Sequence, residues 1–138
     1  MAQAGQVLEG PDGFRLHLKE IGEEALVMEA VYSGDAGMPP EHLHPSQTER
    51  FEVLEGAMRT LIAGEERVYR RGEPFEIPPG TPHQMAAEGP TRMRWDVRPA
   101  LRTAEFFEAL YAAIAAQEWA EIPGILEKYD GEVVMTGG

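Results

Sequence analysis

His42 and His44 stand at alternate positions in the segment GMPPEHLHPSQTERFEVLEG (37–56), and Glu49 follows five residues after His44. A second segment, GEPFEIPPGTPHQMAA (72–87), carries His83 just behind a Pro-Pro-Gly turn. Three of the four histidines in the chain therefore fall in two short stretches punctuated by glycine and proline. An extended His-x-His sends both imidazoles to one face, because side chains alternate along a strand. Three imidazoles and one carboxylate form a site for a divalent transition metal, and an incomplete coordination sphere leaves room for water, substrate or dioxygen. A lone His-x-His in a β-protein is more often a packing feature. Here the acid and the third histidine, each behind its own glycine, shift the balance to a ligand set.

Three chain segments must meet to position these groups. A turn after Pro45 lets a strand begin near Glu49, and the turn at Pro78-Pro79-Gly80 aims a further strand at His83. From Glu49 onward, Glu49, Phe51 and Val53 share one face, and Gly56 is expected to end that strand. Ala57–Ala63 returns, and Gly64-Glu65 makes a hairpin into Arg67–Arg70. Met93, Trp95 and Val97 alternate with arginines and an aspartate in the clearest period-two pattern of the chain. Phe14, Leu16 and Leu18 predict another half-buried strand, with the fourth histidine, His17, on its solvent side. Nine or ten short strands separated by turn signals read as a β-sandwich or barrel.

The two segments resemble the motifs of the cupins. The first cupin motif reads glycine, His-x-His, four residues, Glu, six residues, Gly, matched here by His42, His44, Glu49 and Gly56. The second reads Gly, five residues, Pro-x-Gly, two residues, His, matched by Gly72, Pro78, Gly80 and His83. Gly37 lies one residue closer to the first histidine than the usual pattern, and Ala87 stands where an Asn is often found. Neither is a ligand position. The resemblance implies an all-β fold, a double-stranded β-helix (cupin or jelly-roll) barrel. The barrel is expected over residues 1–98, with residues 99–138 as a C-terminal helical extension of the same domain. It also implies one divalent metal per chain (Fe, Mn, Ni, Cu or Zn) and a homodimer formed through edge strands.

After Pro99 the pattern changes. Thr103 is the expected N-cap of a helix reaching about Gln117, with Phe107, Leu110, Tyr111 and Ile114 at helical spacing. This helix is expected on the outside of the barrel, leaving Phe106, Phe107 and Trp119 to be buried there or at a subunit interface. A shorter helix is expected at 125–129, and a disordered Gly-Gly end.

The bulk properties narrow the partners. The 138 residues suit one domain with its own core. Twelve basic against 24 acidic residues give a formal charge of −12, which disfavours nucleic acid and anionic membrane surfaces. There are no cysteines, so no disulfide or thiolate site exists. The start of the chain lacks a signal-peptide pattern, and no run of apolar residues is long enough for a spanning helix. A cytoplasmic protein with a small-molecule ligand is expected.

The strand phases place Phe51, Met58 and Thr60 around the metal, with Phe75, Met85, Met93 and Trp95 completing a mostly apolar wall. Such a wall suits a small apolar or aromatic molecule that reaches the metal through oxygen. Glu49 is the one inward acid or base, so it is the candidate catalytic group, and the metal must carry any chemistry. With that wall, the resemblance to cupins implies a dioxygenase-like oxidoreductase as the leading expectation. Alternatives are a non-redox isomerase or decarboxylase and a binding or sensing cupin without turnover.

Overall fold

The computed structural model describes residues 2–137. In chain order these form β1 (Val7–Glu9), β2 (Arg15–Ile21), β3 (Leu26–Tyr32), β4 (His42–Leu43), β5 (Thr48–Ile62), β6 (Glu65–Arg70), β7 (Pro74–Ile77), β8 (His83–Arg98), α1 (Thr103–Ala115), α2 (Ile122–Lys128) and β9 (Val134–Met135). Strands dominate because the apolar residues recur with period two. In β2, Leu16 and Leu18 are buried between more exposed neighbours, and in β5 the same holds for Glu49, Phe51 and Val53.

The long strands β5 and β8 pair antiparallel along nearly their full length. Each carries two shorter strands in series on its other edge: β7 and β6 beside β5, and β3 and β4 beside β8. β2 and then β1 extend the sheet from β3. Gly56 does not end a strand, as its turn character suggests. β5 runs through it, and its register against β8 shifts on both sides of Glu55. Gly56 takes φ +85°, and a Cβ there would meet Pro90 O and Thr91 Oγ1 inside normal contact. The residue is a bulge. Its effect is to keep one face continuous: Glu49, Phe51 and Val53 before it, Met58 and Thr60 after it, all buried.

Closure of the sheet follows from two contacts. His83 lies opposite Ile62 on β5, while Glu49 sits 13 residues away near the other end of that strand (62 − 49). A straight strand of that length spans roughly 40 Å. Yet His83 Nε2 is 3.0 Å from Glu49 Oε1. The sheet curls back on itself and brings both ends of β5 to one site. Antiparallel pairing, curvature and the interior core make this the jelly-roll barrel that the motifs imply.

The C-terminal elements differ from the sequence expectation in position. Arg102 occupies the cap position of α1, and Thr103 is its first residue. The Thr103 hydroxyl accepts a 2.7 Å hydrogen bond from Gln47 Nε2 instead of capping the helix. α1 stops at Ala115 because Gln117 turns left-handed at φ 58°. The second helix begins at Ile122, earlier than expected, with proline in its first turn. α1 does not lie on the outside of the barrel. Phe106 and Phe107 are buried in one cluster with Leu16, Leu18 and Met28, on the inward face of the sheet. Burial of each phenylalanine contributes about 1.5–3 kcal/mol, which the solvated outer face could not supply. Trp119 does stay exposed, at 58%.

The chain end is tied down. β9 pairs with β4, and the Thr136 and Gly137 amides both donate to Glu41 O. Of the Gly-Gly end expected to be disordered, Gly137 is thus ordered, and Gly138 lies outside the described residues. No helix among the described residues is long and apolar enough to cross a membrane.

Candidate metal centre

Each of the four candidate ligands owes its place to a different piece of backbone. His42 and His83 are direct cross-strand partners on β4 and β8, so their rings stand side by side with centroids 4.4 Å apart. His44 lies just past β4, where its carbonyl accepts a 2.8 Å hydrogen bond from Gly80 N in the Pro-Pro-Gly turn. The two histidine-bearing segments are thereby fastened to each other. Glu49 enters from β5 between β7 and β8, opposite Ile77 and Val97. Gln47 anchors the approach to β5, donating to the Pro99 and Ala100 carbonyls as well as to Thr103.

The three imidazoles form a compact cluster in which one ring nitrogen from each lies within 4.8 Å of the others. Two of the rings are locked in orientation. His44 Nδ1–H donates to Glu132 O and His83 Nδ1–H to Thr81 O, each at 2.8 Å. With Nδ1 carrying the proton, each Nε2 presents a lone pair. Both nitrogens lie close to Glu49: His44 Nε2 and His83 Nε2 are each 3.0 Å from Glu49 Oε1. Trp95 Nε1–H fixes the other carboxylate oxygen, donating to Glu49 Oε2 at 2.8 Å.

That arrangement lacks something between its acceptors. His44 Nε2 and Glu49 Oε1 are both buried, yet neither makes a hydrogen bond of acceptable direction. Lone pairs from two imidazoles and a carboxylate repel unless a proton or a cation sits among them. Two donor atoms each ~2.1 Å from one ion lie roughly 3–3.4 Å apart, so 3.0 Å is a spacing between ligands of a common ion. The residues present fit a divalent transition metal.

In the metal-free site a proton on His44 takes the ion's place beside Glu49. Burial, with the neighbouring His83 and His44 adding to it, holds the His42 imidazole down at about 4, so it is neutral near pH 7. For Glu49, burial opposes ionisation, but His44 and His83 outweigh it and hold the carboxyl at about 2. Burial likewise opposes charge on His44, while Glu49 and the Glu132 carbonyl prevail and raise its pKa above the ordinary value. A carboxylate and a neutral imidazole are the forms that ligate metal.

The cluster forms the floor of a cavity of about 330 Å³. Of the wall residues expected from the sequence, Phe51, Met85 and Trp95 line it. Met58, Thr60, Phe75 and Met93 do not reach it; they are buried deeper, in the barrel core. Their strand phase is inward, but the layers they occupy are filled by packed side chains, as in the Phe51–Phe75 stack at 4.9 Å. The rest of the wall is what strand phase alone misses. Phe106, Phe107, Leu110 and Tyr111 come from α1, and Tyr32 from the end of β3. The apolar stripe of α1 is the available signal, although the sequence leads one to expect it to pack on the outside of the barrel. Apart from the three imidazoles and Glu49, the ionisable groups on the wall among the described residues are the phenols of Tyr32 and Tyr111. Burial pushes Tyr111 up to about 12 and Tyr32 higher still, so both stay protonated. Neither hydroxyl makes a hydrogen bond among the described residues. No lysine or arginine among the described residues lines the cavity.

Known proteins give the same fold. A family model described as "Cupin domain" matches residues 27–97, just over half of the chain. No curated protein sequence matches it. Among solved structures, KdgF from Halomonas sp. superposes with a TM-score of 0.62 at 19% identity, covering 68% of this chain and 86% of that one. An RmlC-like cupin from Shewanella frigidimarina gives 0.65 at 17% identity, covering 72% and 87%. Pac13, a nucleoside dehydratase from Streptomyces, gives 0.58 at 15% identity, covering 72% and 79%. At these identities the likeness is one of fold.

Proposed function

This chain belongs to the cupin domain family, and from that premise we propose that it is a metal-dependent, dioxygenase-like oxidoreductase. His42, His44, His83 and Glu49 hold one divalent transition ion, and the substrate is a small apolar or aromatic molecule bearing oxygen. The observation that carries the reading is the convergence of buried, unpartnered acceptor atoms on one point at the floor of an apolar cavity. When bound, the metal supplies Lewis acidity and, for a redox-active ion, a site for dioxygen.

The protein's own groups select the substrate. A cavity of about 330 Å³ is at the small end of ligand sites. Its wall offers aromatic and aliphatic surface, and Tyr32 and Tyr111 are neutral donors for a ligand oxygen. With no cationic side chain on the wall, phosphates and other anions have only the metal to recognise them. The uridine bound in the Pac13 structures is a far more polar ligand than this wall favours.

A second reading, a cupin that binds its ligand without turnover, is favoured by one observation. Among the described residues Glu49 is the sole carboxylate in the cavity, and His44, His83 and Trp95 already engage it. Oxygen uptake separates the two. Protein loaded with Fe(II), Mn(II), Ni(II) or Cu(II) should consume oxygen with a flavonol, β-diketone or small phenol, and the Zn(II) form should not. If these compounds raise the melting temperature but none is consumed under any metal, the binding reading replaces the enzymatic one. The homodimer remains part of the proposal, although Phe106 and Phe107 are already covered within the chain. A monomer in sedimentation at micromolar concentration would remove it.

A further inference from the structure

The carbonyl that orients His44 belongs to Glu132, which lies 35 residues beyond the family-matched region (132 − 97). Glu132 is itself buried, at 3% exposure, and among the described residues its carboxylate has one ionic partner. Arg102 Nε donates to Glu132 Oε1 at 2.8 Å. The same guanidinium donates to Lys128 O at 3.0 Å and lies over the Tyr129 ring at 4.9 Å. Arg102 thus holds the turn that ends α2 at three points. Beyond Glu132 the chain runs along the ligand pair, with Leu43 opposite Val134 and His42 opposite Met135. It is then fastened by the Thr136 and Gly137 amides on Glu41 O and by the Thr136 hydroxyl on the Glu41 carboxylate. Residues 132–137 form a strap tied on both flanks of His42 and His44.

We propose that this strap is a working part of the metal centre, and that Arg102 is a positioning residue that acts on His44 through Glu132. The proposal rests on the metal reading above and extends it to residues that do not touch the ion. Arg102 fixes the Glu132 carboxylate, the turn fixes the Glu132 carbonyl, and the carbonyl fixes the proton on His44 Nδ1. Nε2 is thereby left as the ligating atom and the ring is held on Glu49. Without Arg102 the Glu132 carboxylate is buried with no counter-charge, so the turn must open to let it reach water. The carbonyl then leaves His44, whose ring and tautomer become free. Linkage runs the other way too: an ion that needs His44 in its locked pose favours the docked strap. A strap that only covered the core would not respond to metal.

The test uses the full chain and Co(II) as the probe, followed by its visible absorption. Arg102→Ala should weaken Co(II) binding by about 10- to 100-fold, the usual effect of removing a partner of a ligating histidine, and shift the absorption bands. Arg102→Lys should recover part of both, since an ammonium can pair with Glu132 but cannot keep all three contacts. Glu132→Ala cuts the same tie without leaving a buried carboxylate, and decides the matter if Arg102→Ala fails to fold. Arg92→Ala, which breaks an ion pair with Glu29 and Glu55 away from the site, should bind as wild type does. In hydrogen exchange, Co(II) should slow the Thr136 and Gly137 amides in wild type and not in Arg102→Ala. Arg102→Ala or Glu132→Ala with wild-type affinity and spectrum would overturn this proposal alone. Wild type that takes up no Co(II) would overturn the metal reading and this proposal with it.

Discussion

Replacing Trp95 by Phe isolates one hydrogen bond at the centre of the site. The indole ring stacks on Phe51 at 5.4 Å and meets Phe107 edge-on at 5.2 Å, contacts that a phenyl ring keeps in part. What it cannot keep is the 2.8 Å bond from Nε1–H to Glu49 Oε2. Glu49 is 1% exposed, so water does not readily replace the lost donor. A hydrogen bond to a charged acceptor is worth about 1.5–3 kcal/mol, and leaving the buried oxygen unpaired costs a similar amount. The smaller ring adds about 1 kcal/mol of lost packing. Metal-free Trp95→Phe should therefore be less stable than wild type by about 2–4 kcal/mol, read from urea denaturation after chelation. Glu49 also loses the group that aims its second oxygen, so Zn(II) affinity in calorimetric titration should fall by about 10-fold or more. Unchanged metal-free stability together with unchanged Zn(II) affinity would refute the claim that Trp95 holds Glu49.

Further outcomes follow from the same geometry. His44, with its pKa raised, must give up its proton to ligate, so metal binding near pH 6 should release at least one proton per ion and weaken on acidification; affinity independent of pH between 5 and 7 would contradict this. In the metal-free chain, His42 at about 4 and Glu49 at about 2 both lie below their ordinary values of 6.5 and 4.5. Their contributions to stability are present at high pH and lost as pH falls, from 6.5 toward 4 for His42 and from 4.5 toward 2 for Glu49. His44 works in the opposite sense, its contribution being full below 6.5 and lost as pH rises through its raised pKa. Denaturation of the chelated protein should therefore become easier from pH 6.5 downward, and a rise in stability there would count against the burial of His42. Gly56→Ala must strain φ +85° and push against Thr91 Oγ1, 2.6 Å from the new Cβ. It should destabilise by about 2–5 kcal/mol, and a melting temperature within a degree of wild type would show that the bulge is not required.

The sequence made the candidate ligands legible because three constraints coincide at each of them. Period-two spacing placed His42 beside His44, and glycine turns placed His83 and Glu49 at strand ends, where little packing context is needed to read them. The fold was legible from the same punctuation. Gly56 misled because a turn residue in the left-handed region serves a bulge as well as a chain reversal, and only the partner strand distinguishes them. α1 misled because an amphipathic stripe says that a helix face is buried but not against which side of a sheet. The wall of the cavity inherits that ambiguity: Tyr111 and Phe107 reach the site only once the helix is known to lie on the inward face. The Arg102–Glu132 tie was not readable at all, since nothing local joins residues 30 positions apart (132 − 102). Strand phase turns Trp95 inward, where it lines the cavity, but its hydrogen bond to Glu49 depends on a cross-sheet meeting that strand phase cannot give.

The most direct measurement is the metal content of protein purified without a metal-affinity tag, in wild type and in the His42→Ala/His44→Ala double variant. Wild type, as isolated or after equilibration with a divalent transition ion, should carry up to one ion per chain. The double variant should carry none while keeping the wild-type circular dichroism of the barrel. A stoichiometric ion retained by the folded double variant, or a wild-type chain that takes up no divalent ion at neutral pH, would contradict the account.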